Sequence, residues 1–374
     1  MKNKQLIMGL VGLVALVALV VWGVKHFHFD LGVFRSQLAL ARWDVIGLSV
    51  ACIYVAYMFR SARWALLLKH NKRVGLFSLL GTQVMGFTAV ALIGRVADPI
   101  RPYLVAKKTG LPVSSQVAVY IVERLFDAGS MAVIFSVAML GVPYDVLMKA
   151  TSHSHLVSLL GAHSPFWAAF AARYGGLILT LMGASFLVAV RLAGGLMATL
   201  AERSFGVFSA KLGKAAGEKI RGFHAGLDTM RTFGEFSAVA GVSLVMWVLI
   251  AGAYFEGCRA FVASPQLAAM TPSQCVLLMV GSGSASIFQL PILGWFWQIA
   301  AVAAMLTGLL GANAEAATAC AAVLLLTTFL AIVPVGLIWA QFEHVSLRRV
   351  AEESELASEG VAPEDPVGQV GTAR

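Results

Sequence analysis

Long apolar runs alternate along this chain with short basic stretches, and the run lengths are those of helices that cross a bilayer. The first run covers residues 6–24. It exceeds a secretory signal core, and Lys25-His26-Phe27-His28 follows where a small-residue cleavage site would stand, so it predicts an uncleaved first span. An amphipathic link over 30–43 leads to a second span from about 44 to 59. Arg60, Arg63, Lys69, Lys72 and Arg73 close that span, and such basic clusters mark the cytoplasmic side. Residues 115–140, 167–190, 236–254 and 316–340 predict four more spans. The loop 141–164, with few charges, suits the outer side.

Two runs depart from this pattern. Residues 77–93 are apolar but short, interrupted by Gly81 and Gly86, with Lys72 and Arg73 before and Arg95 and Arg101 after. Basic flanks on both sides predict a hairpin that enters and leaves from the cytoplasm. Residues 275–311 are broken at Gly281-Ser282-Gly283-Ser284 and again at Leu290-Pro291-Ile292-Leu293-Gly294. Five spans from a cytoplasmic start put Cys275 outside, and the last span ends at His344, Arg348 and Arg349, so this region must enter and leave on the outer side. The order span, broken hairpin, span thus occurs twice in opposite orientation. The predicted fold is an all-α polytopic membrane protein with about six transmembrane helices, two oppositely oriented re-entrant hairpins and an inverted repeat, a recurring plan of transporters.

A single integral membrane domain is expected over 1–350, with one half at about 44–140 and the other at about 236–340. Between them, Phe205, Phe208, Leu212, Ala216, Ile220, Phe223, Leu227 and Met230 recur every three to four residues within a basic stretch. That predicts an amphipathic cytoplasmic segment over about 203–233, suited to anionic lipid at the interface. Residues 351–374 are acidic and rich in Ser, Gly and Pro, the composition of a disordered tail.

Composition sharpens the class. Hydrophobic residues are 59% of the chain and the mean hydropathy is +0.81, beyond the range of soluble domains. The net charge is +9; setting aside the six acids and one arginine of the tail leaves +14 on residues 1–350. A basic membrane body suits anionic lipid headgroups, and no basic-aromatic module is present to bind nucleic acid. The four cysteines stand singly among apolar residues with no metal-ligand spacing, and read as inert buried thiols.

Charge is concentrated where it is most expensive. Arg95, Asp98, Arg101, Lys107, Lys108, Glu123, Arg124 and Asp127 lie between apolar segments, and Pro99 and Pro102 interrupt the helix there. Glu123 and Asp127 share a helix face, and Arg124 and Asp127 are spaced to pair. Three charges inside a span need partners or water, and Arg95, Asp98 and Arg101 are the nearest candidates. The residues form either a headgroup path or an ion-pair network that staples the hairpin to the third span. On the outer hairpin the polar candidates are Ser282, Ser284, Ser286, Gln289 and Gln298, beside Pro291 and Gly294. Catalytic signatures are missing: there is no HExxH, GxSxG, Walker loop or GxGxxG, so no enzyme activity and no cofactor is expected. His153 and His155 have no carboxylate or cysteine beside them and read as loop histidines rather than metal ligands.

The stretch 94–127 resembles the flippase-like family of the lysylphosphatidylglycerol synthase transmembrane region. Ala97-Asp98 stand where that family has Gly-Glu, while Arg101, Tyr103 and Leu104 match its Arg-x-Tyr-Leu. Gly110-Leu111-Pro112 match its turn, and Glu123-Arg124-Leu125-Phe126-Asp127 its close. Leu290-Pro291-Ile292-Leu293-Gly294 resemble its second signature without the Gly-Gly pair, with Gln298 near the place of its Glu. Arg60 and Arg63-Trp64 resemble the basic end of its second span. The resemblance implies a multi-pass plasma-membrane protein, both termini cytoplasmic, that moves an anionic or carrier lipid between leaflets. Its expected path is Arg95, Asp98, Arg101, Tyr103, Glu123, Arg124 and Asp127, with Ser284, Gln289, Pro291, Gly294 and Gln298 on the outer hairpin. The alternative is a non-catalytic membrane subunit that presents a lipid to a separate glycosyl- or aminoacyl-transferase. Residues 351–374 are too few for the aminoacyl-transfer domain of the family's best-known member, so synthase activity is not expected.

Overall fold

The computed structural model describes residues 29–145, 165–206, 232–286 and 293–343, with isolated positions between 209 and 217. The predicted first span, most of the loop 141–164, most of the segment 203–233, Gln289, Pro291 and the acidic tail lie outside the described residues. Among the described residues every regular element is helical.

Asp30 caps α1 (Leu31–Leu40), its Oδ1 accepting from Gly32 N at 2.7 Å and Val33 N at 3.2 Å. Next, α2 (Trp43–Leu68) is 26 residues long, about 39 Å at 1.5 Å per residue. The second span therefore does not stop at residue 59 but continues across Arg60 and Arg63. The predicted first hairpin begins with α3 (Leu76–Ile93), which runs unbroken through its glycines. It stops at Gly94, whose φ of 94° suits a residue without Cβ. A short 3-10 turn over Arg95–Ala97 follows, then α4 (Ile100–Thr109). Pro99 and Pro102 sit in the cap and first turn of α4, where a missing N–H leaves no bond unmade.

The predicted third span forms α5 (Val113–Leu140). α6 (Pro165–Gly206), at the predicted fourth span, is 42 residues long and continues through Arg191, so the helix does not end at 190. α7 (Phe233–Arg259) opens on a capping box between Thr232 and Glu235. α8 (Pro265–Ala268) is a single turn. α9 (Pro272–Ala285) opens on a second capping box, Thr271 with Gln274. It continues through Gly281-Ser282-Gly283-Ser284, so the predicted break there is misplaced; the helix ends after Ala285. α10 (Leu293–Leu310) follows, then α11 (Ala314–Leu325), a π turn over Leu326–Leu330 and α12 (Ile332–Phe342).

Five of the described stretches are long and apolar enough to cross a membrane: α2, α3, α7, α10 and the run α11–α12. The protein is a multi-pass membrane protein. At 18 residues each, about 27 Å, α3 and α10 have nearly spanning length themselves. The fifth span and the second pack together most extensively, α7 on α2. Around that axis α3 lies against α12 and α9 against α5, while α4 packs on α5 and α10 on α11. Lys72 Nζ donates to Thr109 O at 2.6 Å, tying the chain before α3 to the end of α4. The largest buried cluster joins Cys258, Phe261, Leu267, Leu278, Leu306, Ala316 and Cys320. Cys258, Cys275 and Cys320 are buried free thiols and Cys52 is half-buried.

Candidate functional site

Helical spacing creates the site. On α2, Arg60 and Arg63 are three apart and face α5, where Glu123 and Asp127 are four apart. Arg63 lies across both acids: Nη2 donates to Glu123 Oε1 at 2.6 Å and Nη1 to Asp127 Oδ1 at 2.7 Å. Arg60 Nη1 adds a bond to Glu123 Oε1 at 3.3 Å. From α4, Arg101 Nη2 reaches Glu123 Oε1 at 3.0 Å and Oε2 at 2.9 Å. Arg101 also forks onto Gln83 Oε1 of α3, from Nε at 3.1 Å and Nη2 at 2.7 Å. Arg124 Nη2 lies 3.1 Å from Asp127 Oδ2. From α7, Ser243 Oγ accepts from Arg63 Nη1 at 2.9 Å and Trp247 Nε1 donates to Asp127 Oδ1 at 3.0 Å. Glu123 is the one carboxylate that ties α2, α4 and α5 together.

Arg63 and Arg101 have no solvent-accessible surface, and Glu123 retains 1%. The guanidinium of Arg101 lies 4.3 Å from the Phe87 ring centroid and 5.4 Å from that of Trp64; Arg124 stacks on Tyr120 at 5.1 Å. Gly86 makes room for it: a Cβ there would run into Arg101 Cγ. The charges do not cancel. Four arginines (Arg60, Arg63, Arg101, Arg124) face two carboxylates, a local surplus of two positive charges. Arg63 Nε, Arg101 Nη1 and Arg124 Nε are buried donors with no hydrogen-bond partner among the described residues. Asp127 Oδ2 is likewise a buried acceptor without a hydrogen-bond partner among the described residues, so the interior carries spare positive charge with both spare donors and a spare acceptor.

Beside this network lies a cavity of about 230 Å³. Arg60 of α2, Arg124 of α5 and Arg95 and Asp98 of the first hairpin reach it from one side. Ser282, Ser286 and Gln298 of α9 and α10 reach it from the other, and apolar groups such as Ile53, Met279 and Phe329 fill the wall between. The C-terminal ends of α3 and α9 meet at its edge. Arg95 Nε donates to Ser286 O at 3.0 Å and Nη2 to Ser286 Oγ at 2.5 Å, and Trp295 Nε1 donates to Ala91 O at 3.0 Å. Gln298 Nε2 bonds Ser282 O at 3.0 Å and Oγ at 2.8 Å, and Tyr254 OH lies 2.9 Å from Ser282 Oγ.

The expected residues divide. Glu123, Asp127, Arg101 and Arg124 form the network, and Arg95, Asp98, Arg124 and Gln298 line the cavity. Arg101 stands behind the cavity rather than in it. Tyr103 packs in a cluster with Trp339 and Ile93. Ser284 is exposed and donates to Val280 O at 3.0 Å, so it does not line the cavity; Gly294 is buried. Arg60 and Arg63 correct the sequence reading most. Taken there as basic residues closing a span, they are buried members of the site. Their signal was length: residues 44–59 make only about 24 Å of helix, short of a roughly 30 Å hydrocarbon core. Gln83, Trp247 and Tyr254 carried no such signal.

Comparison of the chain with curated proteins, and with solved structures, returns no match. The family model described as the lysylphosphatidylglycerol synthase TM region matches residues 8–336, which take in α3–α4, α9–α10 and every residue of the arginine–carboxylate network. The chain belongs to the family of the lysylphosphatidylglycerol synthase TM region.

Proposed function

We propose that this protein moves an anionic or carrier lipid between the leaflets of the plasma membrane, taking the headgroup into the cavity between the two hairpins and performing no covalent step. The family gives a lipid-related membrane role. The observation that carries the finer reading is the surplus of two positive charges in a network whose Arg60, Arg63 and Arg101 are buried, with Arg60 and the half-buried Arg124 reaching the cavity itself. A closed ion-pair network built only for stability would balance its charges, because each uncompensated buried charge costs several kcal/mol. The cavity is smaller than the roughly 300–1,000 Å³ of sites that enclose whole drug-sized ligands, which suits a headgroup whose tails stay in lipid.

Two re-entrant hairpins of opposite orientation fit this role, and the packing supports them. Lys72 bonded to Thr109 O brings the chain before α3 back to the end of α4, as a hairpin entering from one side requires. α3 on α12 and α9 on α5 are the contacts that a two-fold exchange of the halves would interchange. Both termini are proposed to be cytoplasmic; the exposed Lys69, Lys72 and Arg73 after α2 support a cytoplasmic side there.

The test is transbilayer movement of an acyl-labelled anionic phospholipid in proteoliposomes. Wild type accelerates movement over empty vesicles, and Arg60→Gln and Arg124→Gln return it to the vesicle background. Equal rates with and without protein, or variants as fast as wild type, overturn the proposal.

A further inference from the structure

A second concentration of charge lies at one end of the bundle, away from the cavity, where contacts join several elements. Lys72 Nζ, in the loop after α2, donates to Thr109 O at the end of α4 at 2.6 Å. The neighbouring Lys108 Nζ donates to Glu343 Oε1 at 2.5 Å, and Trp339 Nε1 of α12 donates to the same oxygen at 3.1 Å. Glu235, at the start of α7, lies 2.9 Å from His70 and 3.5 Å from Lys69. The loop after α2, the start of α7 and the ends of α4 and α12 thus form one rim on one side of the bundle.

The rim is not balanced. Among the described residues Lys69, Lys72, Arg73, Lys107 and Lys108 face only Glu235 and Glu343, a surplus of three positive charges. The one acceptor of Lys72 is a neutral carbonyl, and Arg73 is exposed with no hydrogen bond or ion pair among the described residues. The chain leaves α12 at this same place. Beyond residue 350 it carries six acids against Arg374 alone, and the first three, Glu352, Glu353 and Glu355, fall within four residues. Glu352 follows Glu343 by nine residues, which span at most about 30 Å. Lys72 and Arg73 stand one contact beyond the Lys108–Glu343 pair, through Thr109. A tether this short sets an effective concentration in the millimolar range, so ion pairs too weak to hold a separate chain suffice here.

We propose that the acidic segment 351–365 lies on the basic rim at Lys72 and Arg73, as an electrostatic strap that competes with other anions for that face. The occupant is this chain's own tail: its first three acids match the surplus of three, and the chain delivers them there. The strap is independent of the lipid path, because its contacts lie outside the cavity.

Crosslinking in the full chain tests it. Asn71→Cys and Ser354→Cys place thiols on the rim and the tail without removing a charge, in a Cys52→Ser background, and a short bismaleimide joins them in zwitterionic nanodiscs holding one chain each. The rate, divided by that of each single thiol with a monomaleimide, reports how often the tail meets the rim. It is expected to fall about three- to tenfold, the value of a few exposed ion pairs, when Glu352, Glu353 and Glu355 are all changed to Gln. These substitutions lie in the tail and leave the membrane body intact. Raising salt from about 0.1 M to about 1 M, which shortens the screening length from about 10 to about 3 Å, gives a similar fall, and Arg73→Gln a smaller one. A rate unmoved by salt and by the glutamine tail overturns the strap, as it would if Glu352 paired only with Arg348. Collapse to the glutamine-tail rate in nanodiscs that include phosphatidylglycerol assigns the rim to the leaflet and overturns it equally.

Discussion

Replacing Glu123 with glutamine tests whether one carboxylate holds the first hairpin to the spans. The change keeps the shape and removes one negative charge, so the local surplus rises from two positive charges to three. Oε1 could still accept from Arg63, now at 2.6 Å, but the amide nitrogen would point at Arg101 Nη2, which lies 2.9 Å from Oε2. Two donors would then face each other in a site with 1% exposure. Removing one partner of a buried pair costs about 3–5 kcal/mol, against about 0–1 for an exposed pair. At roughly 2 °C per kcal/mol for a chain of this size, the midpoint should fall by about 6–10 °C. The assay is thermal unfolding of purified protein in detergent, with wild type and variant at one scan rate. The second arm is Glu123→Gln with Arg101→Gln, which restores the charge surplus to two; it should be less destabilised than the sum of the single variants, by about 0.5–3 kcal/mol. A midpoint within about 1 °C of wild type for Glu123→Gln, or strict additivity in the double variant, would refute the keystone role.

Other outcomes follow from neighbouring contacts. Gly86→Ala drives a methyl into Arg101 Cγ and should cost about 1–3 kcal/mol by the same unfolding assay, whereas Gly47→Ala, where a Cβ meets open space, should not destabilise. Trp247→Phe removes the donor to Asp127 Oδ1 and should cost about 1.5–3 kcal/mol, because the bond lost is to a charged group; no change would mean that water or another donor replaces the indole. Arg95→Gln releases Ser286 and should raise several-fold the rate at which Gly283→Cys reacts with an impermeant maleimide; an unchanged rate would show that Trp295 alone holds the tips. For the two-hairpin topology, Asn71→Cys and Lys107→Cys should label from one side of sealed vesicles and Gln266→Cys and Asn313→Cys from the other. Asn71 and Lys107 labelling from opposite sides would remove the first hairpin.

The helices were legible because hydropathy and caps speak locally. Thr271-Pro272 with Gln274 marks the start of α9 as plainly in sequence as in structure. The core of the site was legible too, since Glu123 and Asp127 at four-residue spacing inside an apolar run demand cationic partners. Identifying those partners was harder. Of the expected partners Arg95, Asp98 and Arg101, Glu123 pairs with Arg101, 22 residues away, but it also pairs with Arg63, 60 residues away and not among them. Basic residues near a span end carry two meanings, topology signal or buried partner, and only the length of the span separates them. The reading of Gly281-Ser282-Gly283-Ser284 failed for a related reason. Intrinsic propensity penalises those residues by about 0.5–1 kcal/mol each, but Ser282 is held by Tyr254 and Gln298, and tertiary bonds outweigh that bias. Trp247, 120 residues from Asp127, left no local trace.

On the proposed lipid path, the unequal strength of the bonds around the cavity predicts which part would move. The α3–α4 pair is anchored: Arg101 of α4 is locked between Gln83 of α3 and Glu123 of α5, and breaking it would strand charges in a dry interior. The α9 and α10 helices meet it through Arg95 to Ser286 and Trp295 to Ala91, bonds in which the acceptors are neutral. Each such bond contributes about 0.5–1.5 kcal/mol net, or up to about 3 where Arg95 is the donor. Arg95 is 41% exposed, with Asp98 at 3.6 Å as a ready second partner. Opening at this seam therefore costs a few kcal/mol, within reach of the binding energy of one headgroup, while opening at the network costs far more. A lipid that competes for Arg95 would loosen the α9–α10 side and leave the α3–α4 side in place. On that path the Arg60–Arg124 side would be the fixed part of the site, and the Ser282–Gln298 side the part that moves.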